Sequence, residues 1–240
     1  MDNFSDGLSS VLAELLEGYQ LQAPRGEEEG ATPQQLAETF EQLFDAMQRT
    51  EADQQAGNPP GQDAVTELGE YALELFEQTL ARAGRLRLPE VYLGLQVYIV
   101  TMARWIGRHG GKIYVLEPVV DALAQFANTT RGSDELLTLY QAMGEVVDAT
   151  ADIIRRDLEK TNPGRPWRIL QMNRAIVATR THQPDAMDAA FQELVANLPE
   201  DAQRFFSEGM EQMDLLNYPP HVREVMDRYY RKWNIDRSLH

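Results

Sequence analysis

The sequence predicts an all-α fold of about ten helices in antiparallel hairpins. Nearly every segment places apolar residues at i, i+3, i+4 and i+7, and no stretch sustains the period-two alternation of a strand. The periodic segments are joined mostly by short connections, which make sequential helices antiparallel neighbours. A right-handed, solenoid-like stack of hairpins and an irregular helical bundle both satisfy this pattern.

The first element carries Leu8, Val11, Leu12, Leu15, Leu16 and Tyr19 on one stripe, with Ser9, Ser10, Glu14 and Glu17 off it. "QLQAPRGEEEGA" follows, with a proline, two glycines and an acid run, and reads as a flexible acidic linker. Residues 1–31 are thus expected to be an amphipathic helix plus linker, and 32–240 a single α-helical domain. Thr32-Pro33 is an N-cap followed by a first-turn proline, ahead of Leu36, Phe40, Leu43, Phe44 and Met47. A third helix carries Val65, Leu68, Ala72, Leu75, Phe76 and Leu80, and a fourth, from Pro89 to Arg108, is apolar on most sides.

Val119, Val120, Leu123 and Phe126 mark the fifth. A long sixth is expected from Ser133 through Leu136, Tyr140, Met143, Val147 and Ile154 to Leu158, where "TNPGRP" stops it. Trp167, Leu170 and Ile176 mark the seventh, and Met187, Phe191, Leu194 and Val195 the eighth. Phe205, Phe206, Met210 and Met213 mark the ninth, and Val222, Val225, Met226, Tyr229 and Trp233 the tenth.

"TFEQLF" at 39–44, "LFEQTLARAGRLRLPE" at 75–90 and "AFQELVANLPE" at 190–200 share an aromatic, an acid/amide pair and a leucine. Ala72 to Phe76 followed by Pro89 resembles the second helix of a tetratricopeptide repeat, and Trp167 with Leu170 resembles its first. Gln171 and Arg174 stand where that repeat has Gly and Tyr, and no period of 34 residues recurs. The resemblance covers two hairpins of five and implies a concave protein-binding surface without catalysis.

Composition narrows the function classes. Apolar residues make up 43% and charged residues 25%, as in ordinary soluble domains, and no apolar run nears the roughly 20 residues of a membrane span. With an acidic N-terminus that lacks a basic secretory start, the expectation is a cytoplasmic protein. Without cysteine there is no disulfide, thiolate zinc site or Cys nucleophile. The net charge of −16 is uneven: residues 1–100 hold 18 acids against 5 bases, and the remainder 20 against 17. Phosphate neutralisation needs clustered Lys and Arg, so the acidic front half argues against nucleic acid and anionic membranes and suits a basic protein partner.

"IGRHGGKIYVLEP", Ile106 to Pro118, has the glycines and lysine of a phosphate loop. A Walker loop would need Gly where Ile106 stands and Ser or Thr where Ile113 stands, and would follow a strand. Gly110 or Gly111 reads instead as a left-handed helix stop, with Arg108 and His109 at the negative end of the dipole. His109, His182, His221 and His240 lack helical metal spacing, and Asp185 and Asp188 after His182 suit a helix start. The rows Glu208, Glu211, Asp214 and Glu145, Asp148, Asp152 read as solvated faces. Arg155, Arg156, Lys160, Arg165, Arg168, Arg174 and Arg180 form no stripe, and their expected partners are the acids of the front half.

The function expected from these readings is a non-enzymatic helical adaptor or scaffold, with no cofactor and no metal. Its partner would be another protein, basic by charge, or a second copy of the chain. Candidate contact residues are Leu8, Val11, Leu12, Leu15, Leu16 and Tyr19 on the first helix, because about 13 residues of amphipathic helix are marginal alone and must bury their stripe. That helix has three destinations open: its own domain, a second copy, or a groove of another protein. Tyr230, Arg231 and Trp233 are a second candidate, since Arg and aromatics dominate binding hot spots. The alternative is a binder of an apolar small molecule between helices, near Tyr98, Met102 and Trp105.

Overall fold

The structure, a computed structural model, describes residues 2–22 and 30–235. Among them are eleven α-helices and no strand. They are α1 (Asp2–Gln22), α2 (Pro33–Gln55), α3 (Gln62–Arg85), α4 (Pro89–Arg108), α5 (Glu117–Thr129) and α6 (Ser133–Ala149). After these come α7 (Asp152–Arg155), α8 (Pro166–Arg180), α9 (Pro184–Asn197), α10 (Pro199–Leu215) and α11 (Pro220–Tyr230), with a π-helical turn over Arg231–Ile235. Six helices open on proline, which lacks the N–H that a first turn leaves unbonded. At α2 the Thr32 hydroxyl accepts from Gln35 N while Gln35 Oε1 accepts from Thr32 N at 2.9 Å, a reciprocal cap. The linker residues 23–29 and His240 lie outside the described residues.

The chain divides into two compact units: residues up to Ala122 with Asp148–Ala151, and Leu123–Val147 with the residues from Asp152 on. In the first unit α1 packs on α2 and α4, α2 on α3, and α3 on α4, a closed ring of neighbours around Phe40, Phe76, Leu73 and Leu95. Phe40 meets Phe76 at 4.8 Å between centroids. The approach of α1 to α4 depends on missing side chains. A Cβ on Gly18 would fall 2.6 Å from Leu88 Cδ1, and one on Gly94 would fall 3.2 Å from Val11 Cγ2.

"IGRHGGKIYVLEP" ends α4. Gly110 has φ +80°, its N–H bonds Gly107 O at 3.1 Å, and Gly111 N–H bonds Ile106 O at 2.9 Å. That is the Schellman pattern, which satisfies carbonyls a helix end leaves open. Lys112 is engaged with the protein itself, its N–H on Thr66 Oγ1 and its Nζ on Asp148 O.

The expected sixth helix is corrected by the same segment. Ile113 N–H bonds Ala149 O and Ala151 N–H bonds Ile113 O, both at 2.9 Å, an isolated parallel bridge with Thr150. Those bonds replace the helical ladder, so α6 stops at Ala149, a four-residue α7 follows, and Leu158 is exposed rather than part of a stripe.

In the second unit α8 packs on α9, and α9, α10 and α11 contact one another. Phe191 is the hub, its ring 5.8, 5.2 and 5.2 Å from those of Phe205, Phe206 and Tyr229. Four of the arginines, Arg165, Arg168, Arg174 and Arg180, have partners within this unit. Asp157, at 2.5 and 2.7 Å, accepts two bonds from the buried Arg165, whose pKa is raised first by that hydrogen bond. Arg168 pairs with Asp201, and Arg174 pairs with Glu193 while lying 4.7 Å from the Tyr140 ring centroid. Arg180 donates to the carbonyls of Ala127 and Thr130. Ile176 faces out, 45% exposed, while Leu170, Ala175, Val177 and Ala178 carry the buried face of α8.

Candidate functional site

The first-helix stripe is placed in the first unit. Leu8, Leu12 and Leu15 are buried, Val11 packs against Gly94, and Leu16 and Tyr19 are half-buried, with Arg82 lying 6.0 Å from the Tyr19 ring centroid. Gln22 Nε2 donates to Leu86 O at 2.7 Å, fixing the end of the helix. Of the three destinations open to this stripe the structure has the first, and Leu8, Leu12 and Leu15 are taken up by it.

The region expected to hold an apolar ligand lies in the first unit. Met102 and Trp105 are buried, Trp105 stacks on His109 at 4.4 Å and donates to Glu51, and Tyr98 meets Phe4 edge-on at 5.2 Å.

At the C-terminal candidate, Tyr230 and Trp233 are half-buried against the Phe191 core, and Arg231 is exposed and pairs with Asp227 at 2.8 Å. Trp233 lines a cavity of about 450 Å3 with Asp188, Gln192, Tyr229 and Lys232. Much of its polarity is already matched: Arg228 pairs with Asp188 at 2.5 Å, and Tyr229 Oη donates to Asp188 O at 3.3 Å. His182 is turned toward Tyr218 at φ +58°, so His182, Asp185 and Asp188 do not converge. Among the described residues no group of three His, Asp or Glu side chains is placed to hold a metal ion.

A second cavity, about 280 Å3, opens between α8, α10 and α11 and has mostly apolar walls. Met172 and Ile176 come from α8, Phe205 and Met213 from α10, Leu216 from the turn after it, and Met226 from α11. Gly209 makes room on α10: a Cβ there would lie 2.7 Å from Met226 Sδ. Three methionines give the walls a soft, adaptable lining. Ile176 and Leu216, 45% and 62% exposed, extend the apolar surface beyond the mouth.

Polar groups at this groove are few. Burial raises the Tyr218 pKa, with Arg180 opposing, and the Arg180 guanidinium is already committed to backbone carbonyls. On the exposed side of α10, Glu208 pairs with Arg204 and Asp214 with Arg223, both at 2.6 Å, and Glu211 stays exposed between them. No acid, base and nucleophile converge here. The groove escaped the sequence reading because its residues come from three helices, and Ile176, Phe205, Met213 and Met226 each read as part of a helix's apolar stripe. The readable signal was Ile176, whose neighbours Ala175 and Val177 are also apolar, so that α8 has apolar residues on more than one face.

Fold and groove together define a class: an all-helical protein with a preformed, methionine-lined apolar groove and no helix, among the described residues, long and apolar enough to cross a membrane. No family model, curated protein or solved structure matches the chain.

Proposed function

We propose that the protein is a non-enzymatic helical adaptor of the cytoplasm whose second unit receives an amphipathic helix from a basic partner. The observation that carries this reading is the groove between α8, α10 and α11, open at the surface and continued by exposed Ile176 and Leu216. Apolar grooves of this kind take helices whose anchors recur at i, i+3, i+4 and i+7. Methionine side chains repack around different anchors at low cost. Glu211, exposed on α10 between two ion pairs, and the net charge of −16 favour a partner whose polar face carries Lys and Arg.

The test is capture from native lysate with full-length protein and with an Ile176→Glu/Leu216→Glu variant, both changes at exposed positions that leave the core intact. A stoichiometric partner with a basic amphipathic helix, captured by the parent and lost in the variant, is the expected result. Equal capture by both proteins removes the groove from the reading. A small apolar molecule copurifying with the parent and absent from the variant would replace the adaptor with a ligand-binding protein, since about 280 Å3 approaches the smallest ligand pockets, roughly 300 Å3.

A further inference from the structure

On the outer side of α4, Leu93 and Val97 stand one turn apart and remain 41% and 50% exposed. Single exposed apolar residues need no explanation, but these two belong to a line. At about 100° per residue, Leu93, Arg104, Val97, Glu90 and Thr101 share an arc of about 80° on the helix. Thr101 is exposed, and its hydroxyl donates to Val97 O at 2.8 Å, so the group it has left to offer is its methyl. The neighbours α1 and α3 pack on α4 and leave this line uncovered.

The line is complementary to its own reverse about Val97. Leu93 lies four residues before it and Thr101 four after, while Glu90 lies seven before and Arg104 seven after. A second α4 laid antiparallel on the first, with a two-fold axis through Val97, sets Val97 on Val97, Leu93 on Thr101 and Glu90 on Arg104. Large meets small and acid meets base, as a self-complementary interface requires. A parallel copy would set Glu90 beside Glu90 and Arg104 beside Arg104, which like charges oppose. The flank adds to the acidic end: Val11 packs on Gly94 and Gly18 on Leu88, so α1 runs antiparallel to α4 and carries exposed Glu14 and Glu17 past Glu90. Arg108, exposed one turn beyond Arg104, adds to the basic end. Both arginines are also engaged within their own chain, and the pairing rests on where their charge stands, not on an unoccupied guanidinium.

We propose that the protein forms a two-fold homodimer through α4, with Val97 on the axis. The surface belongs to the first unit and stands or falls separately from the apolar groove of the second. From Glu90 to Arg104 the line is roughly 21 Å long, so the interface is small and the dimer weak and reversible. The net charge of −16 on each copy opposes association at low salt. At about 0.15 M salt the Debye length of roughly 8 Å screens that repulsion and leaves the contacts along the line.

The experiment is sedimentation velocity of the full-length protein from micromolar to millimolar concentration, in salt of about 0.15 M. A monomer–dimer equilibrium is expected, weakened by at least about tenfold in Val97→Glu, which sets two carboxylates against each other on the axis. The thermal midpoint of that variant is followed so that lost folding is not read as lost association. The register is tested separately, because a chain without cysteine lets single introduced thiols report contacts between copies. Val97→Cys should form a disulfide with its own copy under mild oxidation. Leu93→Cys should not, since two such residues lie about 12 Å apart along the axis direction, beyond disulfide reach. Mixed with Thr101→Cys, however, it should crosslink well above the collisional rate set by Gln78→Cys, exposed on α3. If Val97→Glu unfolds, the cysteine variants decide alone. A monomer throughout the concentration range, undiminished association in folded Val97→Glu, or Leu93→Cys crosslinking to itself as fast as Val97→Cys would each overturn the proposal.

Discussion

The two units handle charge differently. In the first, the acids sit mostly on the surface, and the interior is held by apolar interdigitation, by glycines that let helices approach and by one buried cation, Arg82, which donates to the Ala31 carbonyl. In the second, the cations are part of the interior: Arg165 and Arg174 are buried, and Arg165, Arg168 and Arg174 each pair with a carboxylate of the same unit. The excess of negative charge thus lies in the front half, while the second unit commits Arg165, Arg168, Arg174 and Arg180 to partners of its own. A segment rich in Arg is not by itself a binding surface, and the test is whether the guanidinium groups already have partners.

The sharpest way to break this contrast is to remove one internal cation. Arg165→Met leaves the Asp157 carboxylate buried without its two donors, and breaking a buried pair from one side costs roughly 3–5 kcal/mol. Urea unfolding should show that loss through a lower midpoint at unchanged slope. A cost below about 1 kcal/mol, the value of an exposed pair, would mean that the pair is solvated and the contrast between the units false.

The corresponding test of the first unit is Leu15→Ala. Leu15 is fully buried on α1, and truncating such a leucine costs roughly 2–5 kcal/mol. A helix held loosely at the end of a linker would show almost none of this, so the same unfolding measurement separates a seated helix from an arm. Deleting residues 1–31, by contrast, would expose the face of α4 that α1 covers and confuse lost folding with lost binding.

Sequence patterning revealed what depends on neighbours a turn away and missed what depends on neighbours far along the chain. The stripes of α1 and α2, the Thr32 cap and the helix stop at Gly110 follow from local spacing and backbone sterics. Thr150 gives no local sign that it will pair beside Ile113, so the break after Ala149 could not be read. Nor could the choice of Asp157, Asp201 and Glu193 as arginine partners, because ion pairing is fixed by which helices meet. The apolar groove has the same origin, since its walls come from three helices.

The smallest expected effect bears on the first unit's surplus charge. The folded-state pKa of Asp121 lies above its unfolded value, so between those two values the native state binds more protons than the unfolded one. Stability therefore falls as pH rises through that window, and the cost is complete above the folded value. Asp121→Asn removes it, and the variant should be more stable than the parent at pH 7 by about 1 °C in thermal midpoint, the scale of a surface charge contact in a chain of this size. The advantage should shrink as pH is lowered and vanish below the ordinary carboxylate range, where the parent is protonated in both states. A variant less stable than the parent at pH 7 would mean that Asp121 already has a favourable partner. The acidic surface of the first unit would then be as internally matched as the arginines of the second.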